Sequence, residues 1–317
     1  MSVLSNNHGR AYEFACLMAF AEEIEKVRAV QVVKNKGYEV ALAIWNNLDE
    51  VLKDTFKKSA KSAVWIIFDM EPLILEGTTD LLKLEIQTDA RGVKGDVRDI
   101  LIVRDDICWE IGLSVKHNHF AVKHSRLSRV NDFGEKWFGV KCSQAYWDAI
   151  GPIFDFLSLK QKVALRWEDL KEKENEVYVP VLNAFMQELR MSACRYLYVP
   201  KKMVEYLLGL FDFYKVINSD SGRVTWIQTY NMRGTLNKSA RHKKPKIVVP
   251  QVELPTRIIS LDFKENSKNT VELYMDAGWQ FSFRIHNASK LVEPSLKFDI
   301  QLIGVPASIM QISSHWK

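Results

Sequence analysis

Apolar residues recur at helical spacing from Gly9 to Arg28, where Phe14, Leu17, Met18, Ala21, Ile24 and Val27 form one stripe. A second such segment runs from Tyr38 to Phe56. A third apolar stretch, Ala63 to Leu75, predicts a buried helix ending near Pro72, which lacks a backbone donor. The period then changes. Leu81 to Gln87 alternates and a glycine-containing loop follows over 89–95. Two β-rich runs, Ile100–Val103 and Ile107–Lys116, then predict a hairpin turning at Arg104-Asp105-Asp106. Ala121 to Arg129 reads as helix, as do Gln144–Asp169 and Val177–Phe213, both interrupted by proline.

Beyond Tyr214 the pattern is one of strands: 215–218, 224–232, 257–263, 270–274, 280–286 and 297–302. Between the second and third lies Arg233–Lys246, basic and turn-rich, which reads as a linker or mobile loop. The expectation is a mixed α/β protein. Residues 1–213 form a helix-rich region carrying the hairpin at 95–116, and 214–317 a β-rich basic region.

A chain of 317 residues that is 47% hydrophobic can bury a substantial core, as one large domain or two modest ones. The net charge of +5 is unevenly spread: residues 201–317 carry 17 Lys and Arg against 10 Asp and Glu, so a polyanion would meet that part first. No N-terminal leader pattern and no apolar run of about eighteen residues occurs, which points to the cytoplasm. Cys16, Cys108, Cys142 and Cys194 lie far apart without a CxxC pair, and read as small buried apolar residues rather than a zinc or disulfide framework.

Chemistry concentrates in the hairpin. On its second strand Ile107, Trp109, Ile111, Leu113 and Val115 share one face, leaving Cys108, Glu110, Gly112, Ser114 and Lys116 on the other. Phosphodiester hydrolysis needs a divalent ion held by carboxylates and gains from a cation beside the attacking water. Asp99, directly before four apolar strand residues, is the favoured acid and Lys116 the cation. The tight turn would set Asp99 opposite residues 110–112, near Glu110, and leave Lys116 about 20 Å away at roughly 3.3 Å per residue. A bulge at Gly112 would relieve this; alternatively Asp96, near Ser114 in that register, is the metal acid and Asp99 supports it.

Next comes His117–Arg129, with three of the chain's seven histidines. On a short helix, Lys123, His124, Ser125 and Arg126 would contact the DNA backbone, and a helix N-terminus near Asn118 and His119 could accept a phosphate. A transition-metal site from His117, His119 and His124 is the lesser alternative. Towards the C-terminus Phe281, Phe283 and Ile285 alternate with Ser282, Arg284 and His286, giving a basic strand edge that continues into Asn287, Ser289 and Lys290. Such side chains read base edges or phosphates.

Four blocks carry a likeness to a known family: Gly95-Asp-Val-Arg-Asp-Ile-Leu-Ile102, Trp109-Glu-Ile-Gly-Leu-Ser-Val-Lys-His-Asn-His119, Ala121-Val-Lys-His-Ser-Arg-Leu-Ser128, and Phe283-Arg-Ile-His-Asn-Ala-Ser-Lys290 with Glu293–Asp299. Together they resemble the HaeIII family of type II restriction endonucleases, over most of the chain. The resemblance implies a nuclease core of the PD-(D/E)xK class, a mixed sheet flanked by helices, with Asp99 as the motif aspartate and Lys116 as its lysine.

Ser114 stands where that motif usually has an acid. The missing acid is then expected from Glu110 first, with Glu22, Glu23, Asp132 and Glu135 behind it. The same resemblance implies Mg²⁺, double-stranded DNA, blunt cutting at GGCC, a protecting methyltransferase and a bacterial cytoplasm. A palindrome is cut by a homodimer or by a monomer acting twice. Two rivals remain: a DNA-binding protein with no catalysis, and a structure-specific DNA or RNA nuclease.

Overall fold

Capping side chains decide where the N-terminal helical pattern breaks. In the computed structural model, which describes residues 3–77, 80–88, 95–118 and 121–317 apart from the side chains of 3–6, 121, 123 and 124, helix α1 spans Val3–Ile24. Helix α2, Lys36–Asn46, starts behind Asn35, whose side chain accepts from the Tyr38 N–H. Helix α3, Glu50–Met70, starts behind Asp49, which accepts from Leu52 N at 2.8 Å. The stretch read as one helix over 38–56 is therefore two, because these caps satisfy amides that a continuous helix would bond to itself. A short strand, β1 (Val30–Val33), which the period did not reveal, precedes α2.

The chain divides into two compact units, and the division does not follow residue 213. One unit comprises Met1–Phe120, Gly209–Glu253 and Ser308–Lys317; the other comprises Ala121–Leu208 and Leu254–Ala307.

The first unit holds a seven-stranded mixed sheet. Its strands are β1, β2 (Leu82–Ile86), β3 (Ile100–Arg104), β4 (Trp109–His117), β6 (Phe213–Ser219), β7 (Val224–Tyr230) and β12 (Gln311–His315), neighbours in that order. The β1/β2 and β4/β6 pairs are parallel and the others antiparallel. Leu84 and Ile86 of β2, Ile100 and Ile102 of β3, and Ile111, Leu113 and Val115 of β4 are buried in one core with Tyr12, Leu17 and Phe20 of α1 and Phe56, Val64 and Ile67 of α3. Each such large side chain contributes about 1.5–3 kcal/mol on burial. The alternation read along β4 is the alternation of core and open face.

The basic stretch 233–246 belongs to this unit and is tied to it: Asn237 donates to Met70 O at 2.7 Å, and Lys246 N donates to Asp69 O at 2.8 Å.

The second unit carries a five-stranded antiparallel sheet in the order β5 (Ala121–Ser128), β11 (Ser295–Gly304), β10 (Gln280–His286), β9 (Thr270–Met275), β8 (Ile258–Phe263). Its helices are α4 (Phe133–Phe138), α5 (Gln144–Lys162), α6 (Val179–Arg195) and α7 (Val199–Leu208). Phe185 of α6 lies 5.0 Å from Phe133 and from Phe298, and Trp137 of α4 stacks on Phe283 at 6.0 Å, so aromatic rings fasten helices to sheet.

Residues 121–129, expected as a helix, instead form β5. Pairing with β11 supplies backbone partners, and a segment with so few apolar residues has too weak a helical preference to resist. Cys16 and Cys142 are buried as expected, whereas Cys108 and Cys194 are exposed, so the reading of four buried cysteines fails for two. Among the described residues no helix is long and apolar enough to cross a membrane.

Candidate active site

The register of the β3–β4 hairpin places the chemistry. Arg104 pairs with Trp109 and Ile100 with Leu113, because residues 105–108 form the connection: a 3-10 turn over Asp105–Ile107 and then Cys108 at φ 50°. This connection is longer than the turn read at 104–106, and it moves Asp99 away from residues 110–112 to lie across from Ser114; Asp99 N donates to Leu113 O at 2.7 Å. Asp99 Oδ2 then accepts from the Lys116 ammonium at 2.8 Å, the Val115 N–H at 2.7 Å and the Ser114 hydroxyl at 3.4 Å. The expected separation of acid and lysine therefore disappears without a bulge at Gly112, which pairs regularly with Leu101.

Gly112 has a different reason. A Cβ there would come within 2.0 Å of Arg98 Cδ, so the glycine makes room for the arginine stem. Arg98 donates to Asp96 through Nε at 2.8 Å and Nη2 at 2.9 Å, and to Glu110 Oε1 through Nη1 at 2.7 Å. Its guanidinium also lies 4.0 Å from the Phe211 ring centre. Burial opposes ionisation of Asp96, but the hydrogen bonds from Arg98 and from Gln87 prevail and hold its pKa below the ordinary carboxylate range. Glu110 and Asp96, expected beside Asp99, are thus gathered around Arg98. The structure does not bring them to the Lys116 ammonium.

Another acid does come into range. Glu13 of α1 is 7% exposed, and Arg10 Nη1 donates to it at 3.2 Å. Burial first and the Asp99 carboxylate second raise its pKa to about 8, while the Arg10 and Lys116 charges pull the other way. Sequence reasoning passed over Glu13, although a signal existed: Glu13, Leu17, Phe20 and Ile24 follow helical spacing, and the three apolar members are fully buried. An acid on a core stripe calls for an explanation. Of the reserve candidates, Glu23 is engaged by Lys26 at 2.7 Å, Asp132 caps α4 by accepting from Glu135 N at 2.9 Å, and Glu22 is exposed.

Lys215 was also missed as a site residue. It is 4% exposed on β6, across from Ser114 in the parallel ladder. Burial and then the Lys116 charge lower its pKa to about 7, with Asp99 opposing them.

Among the described residues no group of three or more His, Cys, Asp or Glu forms a metal cage. That suits Mg²⁺ better than a transition metal, since Mg²⁺ keeps several waters and takes one or two carboxylates plus substrate phosphate. All three donors to Asp99 use Oδ2, so Oδ1 retains the capacity for an ion. A buried acid beside a second carboxylate, held protonated to about pH 8, is the electrostatic state expected of a pair that lacks its cation.

After β4 the chain does not enter a helix. Asn118 adopts φ 52° and donates to Asp220 Oδ2 at 2.9 Å, while His117 Nε2 lies 2.6 Å from the same oxygen. The proposed helix N-terminus at Asn118 and His119 is therefore replaced by a clamp between the ends of β4 and β6. His119 itself, and the side chains of Lys123 and His124, lie outside the described residues.

In the second unit Arg126 pairs in register with Lys297, and Arg284 with Asp299. Arg284 donates to Asp299 at 2.9 Å, His286 Nε2 lies 3.1 Å from it and the Lys297 ammonium 3.4 Å. Arg126 donates to Glu293 at 2.9 Å. One sheet face thus carries an array of cations around Asp299. Ser125 pairs with the buried Phe298 and so points to the opposite face. Asn287 is turned onto the Ser289 and Leu291 carbonyls, both at 2.7 Å, whereas Lys290 is exposed.

Comparison with known proteins gives a consistent picture. A family model described as HaeIII restriction endonuclease matches residues 9–306. The chain is 51% identical over 318 residues, covering 100% of both chains, to the type II restriction enzyme HaeIII of Haemophilus aegyptius. No solved structure matches.

Proposed function

The chain belongs to the HaeIII restriction endonuclease family, and we propose that it makes Mg²⁺-dependent, blunt double-strand cuts at GGCC, using a PD-(D/E)xK-like site built from Asp99, Lys116 and Glu13. The type II restriction activity follows from the family; the ion, the target and the residue roles are the reading offered here. The observation that carries it is the Asp99–Lys116 contact at 2.8 Å with a buried third acid in electrostatic range.

In this reading Asp99 Oδ1 and Glu13 hold the ion. The chemistry it supplies when bound is polarisation of the phosphate and a lowered pKa for the attacking water. Lys116 offers its ammonium to that water and to the charge growing on phosphorus, and Asp99 keeps the ammonium positioned. The Val115 N–H fixes Asp99, so the acid does not reorganise as charge develops. Ser114 is short enough to leave this space open and to donate to Asp99.

Arg126, Arg284, His286 and Lys290 are the proposed DNA contacts, with Arg284 suited to guanine O6 and N7. Asn118, Ser125 and Asn287 are weaker members of that set, being engaged within the fold or turned to the other sheet face. Lys123, His124 and His119 remain in it on residue type alone. The protein is expected to act as a homodimer on the palindrome, with a methyltransferase of the same specificity protecting host DNA.

Purified protein with Mg²⁺ is expected to turn plasmid DNA into discrete GGCC-ended blunt fragments and to spare site-methylated DNA. A smear, or discrete cutting that survives both Asp99→Ala and Lys116→Ala, would overturn the mechanism.

A further inference from the structure

We propose that Lys215 is a second substrate-contacting cation of this site, donating its ammonium to a non-bridging oxygen of the scissile phosphate. The proposal rests on the nuclease reading above and goes beyond the motif residues Asp99 and Lys116.

Three adjacent chain segments set one row of side chains. Asp99, just before β3, lies across from Ser114 on β4, and Ser114 is the Cα partner of Lys215 on β6. Paired residues of neighbouring strands, about 4.8 Å apart, present their side chains to the same face, so Asp99, Ser114 and Lys215 follow one another across the sheet. Lys116 stands two residues along β4 and shares that face. The phosphate that Lys116 and Asp99 are built to meet must therefore come within a strand spacing or two of Lys215.

Burying an ammonium in a sheet is unfavourable unless negative charge meets it. Lys215 is 4% exposed, suffers the Lys116 charge and gains from Asp99, which also serves Lys116. An apolar side chain would suit the position better in the protein alone. A phosphodiester entering the site supplies the negative charge that this arrangement calls for.

The serine at 114 falls into place on the same argument. An acid there, as the usual motif has, would stand directly across from Lys215 and neutralise it. With Ser114, the acid function moves to Glu13 and the Lys215 charge is kept for substrate.

The test uses Lys215→Met and Lys215→Gln in the full chain, with a cognate duplex and no divalent ion, so that binding is read without cutting. Each variant is expected to lower the slope of log Kd on log salt by about 0.9, the loss of one phosphate contact. Single-turnover cleavage with Mg²⁺ should fall at least about 100-fold. Lys215→Met should melt no lower than the parent protein. A salt slope unchanged in both folded variants would overturn the proposal, as would a parent-like cleavage rate in either. A failure of the parent protein to cut with Mg²⁺ would instead sink the nuclease reading, and the salt slope would still decide whether Lys215 meets phosphate.

Discussion

The Lys116 ammonium donates to Asp99 Oδ2 at 2.8 Å, joining the end of β4 to the residue before β3. This contact depends on the hairpin register, which depends in turn on the left-handed residue Cys108 that completes the connection. The two side chains are 28% and 22% exposed, so the ion pair itself adds only on the order of 1 kcal/mol to stability. Lys116→Met is expected to reduce cleavage at least about 100-fold. Its melting temperature should shift by no more than a few degrees. Parent-like cutting would remove Lys116 from the mechanism.

Gly112→Ala tests the packing beneath Arg98. A methyl group there meets the arginine stem, and the strain is expected to cost about 1–3 kcal/mol. Arg98→Met should cost more, about 3–5 kcal/mol, because it strands the buried Asp96 carboxylate. Glu110 is 44% exposed on its side chain and should contribute little to that penalty. Urea titrations of the two variants decide the order.

A pH dependence is expected from Glu71. Burial raises its pKa to about 7, although Tyr214 Oη and Asn237 N donate to it at 2.5 and 2.6 Å. The folded state therefore keeps a proton that the unfolded chain releases above its ordinary value of 4.5. Its contribution to stability is complete below that pH and is lost as pH rises towards 7, by on the order of 3 kcal/mol. Glu71→Gln should flatten the decline measured by chemical denaturation between those pH values. An unchanged slope would show that the carboxyl ionises freely.

Arg284→Ala should separate recognition from binding. Loss of one bidentate guanine contact is expected to cost about 1–3 kcal/mol against cognate DNA. Affinity for unrelated duplex should fall far less. Equal losses on both would reduce Arg284 to a phosphate contact.

Much of this was legible in the chain. Period-two alternation exposed β4 with its open face, and the apolar run after Asp99 marked β3, because half-buried and fully buried strands leave different patterns. What escaped was set by contacts distant in sequence. The helical reading of 121–128 failed because β11, its partner, comes much later. Glu110 and Asp96 were favoured because they are local to the hairpin, whereas the acid that reaches Asp99 is carried by α1. The short strands β1 and β12 offered too few residues for any period to be read.

The parallel pairing of β4 with β6 gives the molecule a particular order of assembly. Between those strands the chain builds β5 and helices α4 to α7, so Lys215 joins the row begun by Asp99 and Ser114 only after a long excursion. Closing so wide a loop is slow compared with forming a hairpin. A nascent chain can therefore hold its β3–β4 hairpin while lacking the strand that completes the row, and a DNA-cutting protein so organised stays harmless to its maker until synthesis has passed β6.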